Sequence, residues 1–353
     1  MFKIIVMAQK IKTALISFGM SGRVFHGPLL KMHPGFEVVK VMQRSSNSAL
    51  SLFPGAAIVR QLEAILNDPT IELVIVNAPD DLHYEQTKAV LLAGKHAVVE
   101  KPFVQKSQLG EELIQLASKK GLLLTVFQNR RWDNSFLTVQ KILKQKMIGR
   151  LVEYEANYSR YRTGVKDSWK EQKSRGAGIL YNLGSHLIDQ ALVLFGLPQA
   201  VDARLMILRS GSEVDDFFDL RLLYADKSVR LKASYLVREE GPTYVLHGER
   251  GSFIKYGLDP QEAALNAGHL PNEVGWGRDP ESLWGLLNSD IQGLHFKGAI
   301  ESIPGNYSLF YDNLYNVIRH GETPAVAASE ALNVIRVIEA ALVSQQTQRC
   351  VSL

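Results

Sequence analysis

The chain has 353 residues, of which 46% are hydrophobic and 22% are charged. This length allows a large buried core and exceeds that of a typical single domain, so we expect two domains. The 40 basic and 36 acidic residues give a formal net charge of +4. They are interspersed, without a run of Lys and Arg that could follow a phosphate backbone, which argues against nucleic acid as a partner.

The single cysteine and the first residues point to the cytoplasm. Cys350 has no second cysteine to form an intrachain disulfide, which favours a reducing compartment. The apolar run in "MFKIIVMAQKIKTALI" is interrupted by lysines and is too short for a signal peptide. No run of about 18 apolar residues follows, so we expect no membrane segment.

Residues 1–128 predict a doubly wound parallel sheet, the Rossmann type of α/β domain. Six short apolar runs alternate with segments whose apolar residues have helical spacing. Because such runs do not alternate between polar and apolar residues, they suit strands covered on both faces. Strand and helix in alternation are typical of a dinucleotide-binding fold. The predicted strands are 13–18, 36–42, 57–59, 72–78, 96–100 and 122–127.

Residues 129–353 predict a second α/β domain with a mainly antiparallel sheet. Segment 151–162 mixes polar and apolar residues at strand spacing, and an apolar helix follows that ends near Gly196. Four segments between 200 and 257 resemble consecutive strands with one buried and one more polar face. The remaining predicted elements are long loops with one short helix over 259–306, and two final helices over about 307–320 and 328–346 that could pack back on the first domain.

The segment "SFGMSGRVFHGPLL" follows the first predicted strand, where a dinucleotide fold carries its phosphate loop. The usual G-x-G-x-x-G spacing falls on Ser17, Gly19 and Gly22, so the first glycine is replaced. A plain strand-to-helix turn is the alternative. The position in a βαβ pattern favours a site in which Gly19, Met20, Ser21 and Gly22 bind a pyrophosphate through backbone amides at a helix start.

The end of the second predicted strand, "VMQRSSN", favours NADP(H) over NAD(H). An NAD site usually has a carboxylate here that accepts from the ribose 2′-hydroxyl, and none is present. Arg44 can stack on adenine and neutralise a 2′-phosphate, and Ser45 and Ser46 can donate to it. The alternative is that Arg44 is an ordinary solvated loop residue.

Two further motifs follow the fourth and fifth strands, "NAPDDLHYE" and "VVEKPF". With the degenerate glycine loop they resemble the Gfo/Idh/MocA family of sugar and polyol dehydrogenases, and members that use NADP and act on inositols are the nearest match. The similarity extends over almost the whole chain. It implies a Rossmann domain followed by an α/β domain with a large open sheet, which packs subunits together as a homodimer or homotetramer. It also implies hydride transfer between nicotinamide and a ring carbon bearing a hydroxyl.

The resemblance assigns roles to cofactor-side residues. In the family the lysine of E-K-P contacts cofactor and substrate, and here it is Lys101. Asn77 and Pro79 match the loop that lines the adenine and ribose side, and Trp169 matches a tryptophan that closes over the cofactor. The cofactor-binding residues expected from these motifs are Asn77, Pro79, His83, Glu100, Lys101 and Trp169.

The apolar helix carries a polar pair, Asn182 and His186, four residues apart and therefore on one face. Family members carry D-x-G-x-H here, so Asn182 replaces the acid. An imidazole titrates near neutral pH, which suits His186 as the proton carrier, with Lys101 stabilising charge and Asn182 orienting the substrate. The alternative is that His186 is a satisfied core histidine.

No metal site is expected. Asn is a poor ligand, and His83, His96, His186 and Asp189 lack the close spacing of a metal site. Hydride transfer to a nicotinamide needs no metal.

Two segments offer side chains for a small polyhydroxylated substrate. Arg130 and Trp132 lie in "NRRWD", after the last Rossmann strand, at the edge where open α/β sheets bind ligands. Tyr158, Arg160 and Arg162 would share one face of the next strand by alternation. The alternative is that this strand is sheet surface that contacts another subunit.

Three functions fit these observations. The first is an NADP(H)-dependent dehydrogenase acting on an inositol or a related sugar. The second is an aldose, aldehyde or dihydrodiol reductase using the same site. The third is a sensor that binds the cofactor without turnover, which the loss of the acid at Asn182 would suggest. Retention of Lys101 and His186 favours an enzyme.

Overall fold

In the computed structural model, which describes residues 9–165, 171 and 176–353, six parallel strands form the sheet of the first domain in the order β3-β2-β1-β4-β5-β6. All four residues of the central strand β4 are buried, because helices cover both faces of the sheet. The predicted Rossmann sheet is confirmed. Its strands are β1 (Ile11–Leu15), β2 (Phe36–Met42), β3 (Ala57–Val59), β4 (Leu73–Val76), β5 (His96–Val99) and β6 (Leu124–Val126).

The strand order reverses at β1, which pairs with β2 on one side and β4 on the other. The loops that follow β1, β4 and β5 therefore meet at one edge of the sheet, where ligands bind in open α/β folds. The loop after β1 leads into a π-helical turn, Ser21–His26, that continues as α1. The helices of this region are α1 (Gly27–Met32), α2 (Glu63–Leu66), α3 (His83–Leu92), α4 (Ser107–Lys120) and α5 (Asn134–Lys144).

A nine-stranded sheet forms the second domain, in the order β14-β13-β12-β11-β7-β10-β9-β8-β15. Its pairs are antiparallel apart from β7 with β10. The prediction of a large, mainly antiparallel sheet is confirmed. Its strands are β7 (Leu151–Asn157), β8 (Ala200–Met206), β9 (Phe217–Leu223), β10 (Ser228–Ser234), β11 (Tyr244–Gly248), β12 (Gly251–Lys255), β13 (Gly285–Ile291), β14 (Leu294–Ile300) and β15 (Val351–Ser352).

Helices cover one face of this sheet. Leu180–Gly184 forms a π-helical turn that continues as α6, and α9 contacts both α6 and β8. Side chains of α9 bond directly to the β8 backbone, since Ser344 Oγ accepts from the Ala203 amide at 3.0 Å. Within the described ranges no helix is long and apolar enough to span a bilayer. The helices are α6 (Ser185–Phe195), α7 (Gln261–Asn266), α8 (Ser308–His320) and α9 (Ala328–Thr347).

The expectation of long loops over 259–306 is wrong, because β13 and β14 form a hairpin there. Burial alternates along β13, but β14 lies at the sheet edge with most of its residues exposed, so it has little apolar periodicity. The sequence signal available for this hairpin was its two-residue turn, Gln292 and Gly293. Gln292 and Gly293 both have positive φ, 52° and 83°, as the tight two-residue turns of hairpins require.

The two final helices contact the first domain. On α9, Glu339 accepts from the Ser107 amide at the start of α4, at 2.9 Å. On α8, Arg319 makes a bidentate ion pair with Glu72 at 2.8 Å for each nitrogen. The end of the chain therefore holds the Rossmann domain against the second sheet.

Candidate active site

A cavity of about 490 Å³ lies between the carboxyl edge of the Rossmann sheet and the second domain. Side chains from both domains line it, so the sequence motifs of the two halves of the chain do meet. From the first domain the lining includes Gly19, Met20, Ser21, Asn77, Pro79, His83, Glu100 and Lys101. From the second it includes Arg130, Arg160, Arg162, Asn182, His186, Arg209, Asp215, Tyr235 and Glu262.

The glycine loop is held by Asn77 at the end of β4. The Ser17 amide donates to Asn77 Oδ1, and Asn77 Nδ2 donates to the Ser17 carbonyl, both at 2.9 Å. Ser17, which replaces the first glycine, accepts from the Gly19 amide through its hydroxyl at 3.2 Å. A Cβ on Gly22 would lie 2.6 Å from the Ser17 carbonyl oxygen, so only glycine fits under the loop.

Glu100, Lys101 and Pro102 form the turn after β5, and the Lys101–Pro102 peptide is cis. The Lys101 amide donates to Glu100 Oε2 at 3.0 Å. His83 braces the turn from the loop after β4, because its Nδ1 lies 2.8 Å from the Pro102 carbonyl and its Nε2 lies 3.0 Å from that of Ala78. These contacts determine the direction in which Lys101 leaves the turn.

Lys101 reaches across the cavity to the π-helical turn before α6. Its Nζ donates to the Asn182 carbonyl at 2.9 Å and lies 3.4 Å from Asn182 Oδ1. Asn182 Nδ2 in turn donates to Tyr235 Oη at 3.4 Å. His186 lies at the start of α6, is only 4% exposed and lines the same cavity. The motif lysine and the helical pair are therefore neighbours.

Two glycines before this helix allow carboxylates to approach it. Gly176 and Gly178 have φ of 84° and 92°, and a Cβ on them would lie 1.6 Å from Asp80 Oδ2 and 2.1 Å from Asp215 Oδ1. Asp215 Oδ2 accepts from the Leu180 amide at 2.8 Å. Burial raises the pKa of Asp80, and burial raises the pKa of Asp215 to about 6. The cavity thus contains a carboxyl that titrates near neutral pH.

The arginines of the cavity differ in their partners. Arg130 is ion-paired with Asp133 and Glu262, and these charges, outweighing burial, raise its pKa. Arg160 has no salt bridge among the described residues, and its Nε is buried without a hydrogen-bond partner there. Burial and the charges of Arg130 and Arg162 lower the pKa of Arg160. Arg160 is therefore the guanidinium best placed to gain from a bound ligand.

The expectation that Tyr158, Arg160 and Arg162 share one face of a strand is wrong, because β7 ends at Asn157. Arg160 and Arg162 line the cavity, whereas Tyr158 is 2% exposed and does not. Its hydroxyl lies 3.1 Å from that of Tyr244, and its ring faces the Arg130 guanidinium at 5.7 Å. A buried tyrosine hydroxyl needs a hydrogen-bond partner, and here Tyr244 provides it. The Tyr158 ring packs on the Arg130 guanidinium and helps to hold it in place.

Other predicted residues lie outside the cavity. Arg44 and Ser45 are exposed in the loop after β2. Trp132 packs edge to face on Phe310, with ring centroids 5.8 Å apart, and is absent from the cavity wall. Trp169 falls outside the described residues.

Several cavity residues were not predicted. Arg209, in the connection between β8 and β9, is bound to Glu171 and Asp216 and stacks on Tyr235 at 4.7 Å. Glu262 reaches the cavity from α7. In the sequence, Arg209 and Glu262 are charged residues outside any motif, and such residues occur at many surface positions.

No metal site is found in the part of the chain that the structure describes, since no three His, Cys, Asp or Glu residues lie close enough to share an ion. Of the candidates considered from sequence, Asp189 is instead bound by Arg131 through two bonds of 2.7 and 2.8 Å. His96 accepts from the Leu123 amide at 2.9 Å.

The first-domain wall fits a dinucleotide. The backbone of Gly19, Met20 and Ser21 lines the cavity at the start of a helix, where the first amides have no acceptor within the helix. Gly22 leaves no Cβ in the close packing beneath. A Rossmann sheet, a glycine loop at its switch point and a lysine beside it define an NAD(P)-binding oxidoreductase.

Comparison with known proteins specifies this class. The "Oxidoreductase family, NAD-binding Rossmann fold" matches residues 11–128, and the "Oxidoreductase family, C-terminal alpha/beta domain" matches residues 140–353. The chain belongs to this family, the Gfo/Idh/MocA oxidoreductases, and is an NAD(P)-dependent member of it.

Similar proteins match over nearly the full chain. Scyllo-inositol 2-dehydrogenase (NADP(+)) of Bacillus subtilis is 43% identical, covering 97% of this chain and 96% of its own. An oxidoreductase structure from Bacteroides fragilis is 48% identical with a TM-score of 0.91, covering 98% of this chain and 100% of that one. The YvaA oxidoreductase structure from Bacillus subtilis is 42% identical with a TM-score of 0.95, covering 98% and 99%.

Proposed function

We propose that the protein transfers a hydride between NADP(H) and a ring hydroxyl or ketone of an inositol or related sugar. One observation supports this most strongly. Lys101, Asn182 and His186 line the same cavity as the glycine loop and Arg160, which has no salt bridge within the described part of the chain. The named activity of the 43% identical relative, scyllo-inositol 2-dehydrogenase (NADP(+)), supports the same substrate class.

In the proposed reaction His186 removes the hydroxyl proton during oxidation and returns it during reduction. A histidine exchanges protons near neutral pH, so it can act in both directions. The Lys101 ammonium stabilises the negative charge that develops on the substrate oxygen. Bound nicotinamide supplies or accepts the hydride. Arg160 and Asn182 orient the substrate hydroxyls, since both carry donors at the cavity wall.

The experiment is a screen of the purified protein with NADP and NAD against inositols, neutral monosaccharides and sugar acids, following the absorbance of reduced nicotinamide. We expect turnover with at least one cyclic polyol. Turnover of open-chain aldoses or aldehydes alone would favour the reductase alternative. Tight cofactor binding without turnover of any compound would contradict the enzyme and favour a sensor.

The preference for NADP(H) rests on Arg44 and the absence of a carboxylate after β2. Arg44 is exposed and therefore able to reach an incoming phosphate, whereas its neighbour Arg60 donates to the carbonyls of Gln43 and Ser46 and shapes the loop. We expect Arg44→Ala to raise the dissociation constant of NADPH by about tenfold or more, because one or two charge-assisted bonds are lost. The dissociation constant of NADH should rise by less than about twofold, since NADH has no 2′-phosphate.

Fluorescence titration of both cofactors measures this selectivity. Arg204→Ala, at an exposed position of β8, is the matched control and should change neither constant. Equal losses for NADPH and NADH in Arg44→Ala would refute the proposed 2′-phosphate contact.

The role of Asn182 is tested by restoring the acid of the family motif. In Asn182→Asp a carboxylate one helical turn from His186 would favour the protonated imidazole. We expect the acid limb of the kcat/KM profile to move to higher pH by about one unit. An unchanged profile would mean that the two positions are not electrostatically coupled.

We also propose a cytoplasmic homodimer or homotetramer assembled through the open sheet. Several large apolar side chains are exposed on its strands, among them Leu223, Leu286 and Phe296. Light scattering after size exclusion measures the mass of the assembly. A monomer at micromolar concentration would contradict this proposal.

A further inference from the structure

A line of buried hydrogen bonds runs from α8 of the second domain to the Glu100–Lys101 turn. Tyr311 Oη lies 2.6 Å from His26 Nδ1, and His26 Nε2 lies 3.1 Å from Glu100 Oε1. The second oxygen of Glu100 accepts from the Lys101 amide. Neither His26 nor Tyr311 was singled out in the sequence, because they are 285 residues apart and belong to different domains.

The surroundings of this line are apolar. His26 and Tyr311 are both fully buried, and Phe127 packs on the His26 ring with centroids 4.4 Å apart. Phe36 and Phe310 contact the Tyr311 ring edge to face. In such surroundings an unpaired donor or acceptor is strongly destabilising, so each group depends on its neighbour in the line.

The direction of the bonds follows from their chemistry. Tyr311 has no other hydrogen-bond partner among the described residues, so its hydroxyl donates to His26 Nδ1. The Nε2–H of a neutral imidazole then donates to Glu100, and every proton in the line points toward that carboxylate. Burial opposes the charge on Glu100, but the hydrogen bond from His26, the charge of Lys101 and the bond from the Lys101 amide outweigh it, and its pKa is lowered.

We propose that His26 and Tyr311 are positioning residues of the active site, which keep Glu100 ionised and through it hold the Lys101 backbone in the orientation needed for catalysis. Neither side chain lines the cavity, so they act only through Glu100. This inference rests on the proposed function of Lys101. It adds a link by which α8 of the second domain orients a residue of the first.

The central test compares His26→Leu with His26→Gln. Leucine removes both polar groups at similar volume, whereas the glutamine amide can accept from Tyr311 and donate to Glu100. In His26→Leu the buried Glu100 loses its main donor and should protonate at higher pH. We expect kcat to fall about tenfold to a hundredfold because Lys101 loses its positioning, and its acid limb to move up by about one pH unit or more. Glutamine should restore most of kcat.

His247→Leu is the control, since the His247 side chain bonds to Ser252 Oγ on the hairpin β11–β12 and does not line the cavity. Tyr311→Phe should give a smaller loss than His26→Leu, because the His26–Glu100 bond remains. A uniform fall in kcat without movement of the acid limb, or a glutamine variant as poor as leucine, would overturn the proposal and leave a packing role.

A second measurement does not depend on turnover. Urea unfolding from pH 4 to 8 compares wild type, His26→Leu, Glu100→Gln and the double variant. Because Glu100 has a lowered pKa when folded, its contribution to stability is present above its unfolded pKa and is lost as pH falls. The cost of His26→Leu should therefore grow with pH in the wild-type background and stay constant with Glu100→Gln.

Fluorescence titration of NADPH is the third measurement, since Lys101 lines the same cavity as the glycine loop. If no substrate is turned over, the proposed function fails, but a pH-dependent loss of NADPH affinity in His26→Leu still supports the positioning role. Additive, pH-independent effects in both unfolding and binding would reject it.

Discussion

The two walls of the cavity are built in different ways. On the Rossmann side, the lining residues before Phe127 come from three short segments that directly follow β1, β4 and β5. On the other side the residues come from segments scattered between Asn129 and Glu262. The first wall is a property of one sheet edge, whereas the second exists only when distant segments pack together.

Their stabilising contacts differ accordingly. The first wall is held by bonds from side chains to the loop backbone, such as those between the Asn77 amide group and the Ser17 backbone. The second is held by ion pairs between side chains far apart in sequence, such as Arg130 with Glu262 and Arg209 with Glu171. A substitution should therefore affect cofactor binding when it disturbs the first wall and substrate binding when it disturbs the second.

The largest effect is expected from Gly22→Ala in the first wall. The added methyl would lie 2.6 Å from the Ser17 carbonyl oxygen and 2.9 Å from Asn77 Nδ2, and a backbone oxygen cannot move without displacing the loop. Overpacking of this kind costs about 1–3 kcal/mol, so we expect NADPH affinity to fall about tenfold to a hundredfold.

Fluorescence titration of NADPH tests this. Gly55→Ala, where a Cβ would meet nothing within 4 Å, is the control for adding a methyl. An affinity of Gly22→Ala within about twofold of wild type would show that the first wall tolerates rearrangement.

A smaller and different effect is expected from Arg160→Met in the second wall. Its guanidinium lacks a salt bridge among the described residues, so its bonds are available to substrate. Losing one charge-assisted bond costs about 1.5–3 kcal/mol, so KM for the substrate should rise about tenfold or more while NADPH affinity stays unchanged. Steady-state kinetics measures KM for the substrate, and fluorescence titration measures NADPH affinity, with Arg204→Met as the control. A parallel loss of NADPH affinity would contradict the separation of the two walls.

The smallest effect is expected from Asp215→Asn. Burial raises the pKa of Asp215 from 3.8 to about 6, so between these values the folded carboxyl stays protonated while the unfolded one ionises. Its contribution to the free energy of unfolding therefore falls as pH rises from about 4 to 6. Asparagine keeps the acceptor for the Leu180 amide and does not titrate.

Urea unfolding at intervals across this range should show wild type losing stability relative to Asp215→Asn, on the order of 1 kcal/mol after allowance for solvent screening. A constant difference between the two proteins at all pH values would mean that Asp215 is ionised throughout.

The sequence by itself determined the Rossmann sheet, its glycine loop and the helix with Asn182 and His186. These features depend on local patterns, since buried parallel strands are continuous apolar runs and a helix places residues four apart on one face. The role of the E-K-P turn came from the family resemblance, whereas its place directly after an apolar run is a local feature of the sequence.

Only the tertiary structure decided the rest. The strand β14 has little apolar periodicity because it is an exposed edge. Tyr158 is buried with its hydroxyl bonded to Gln190 and Tyr244 instead of lining the cavity. Arg209 is joined to Glu171, and His26 to Tyr311, by bonds between side chains from separate segments. Such pairings leave no periodic signal, because each side chain finds its partner only after both domains have packed.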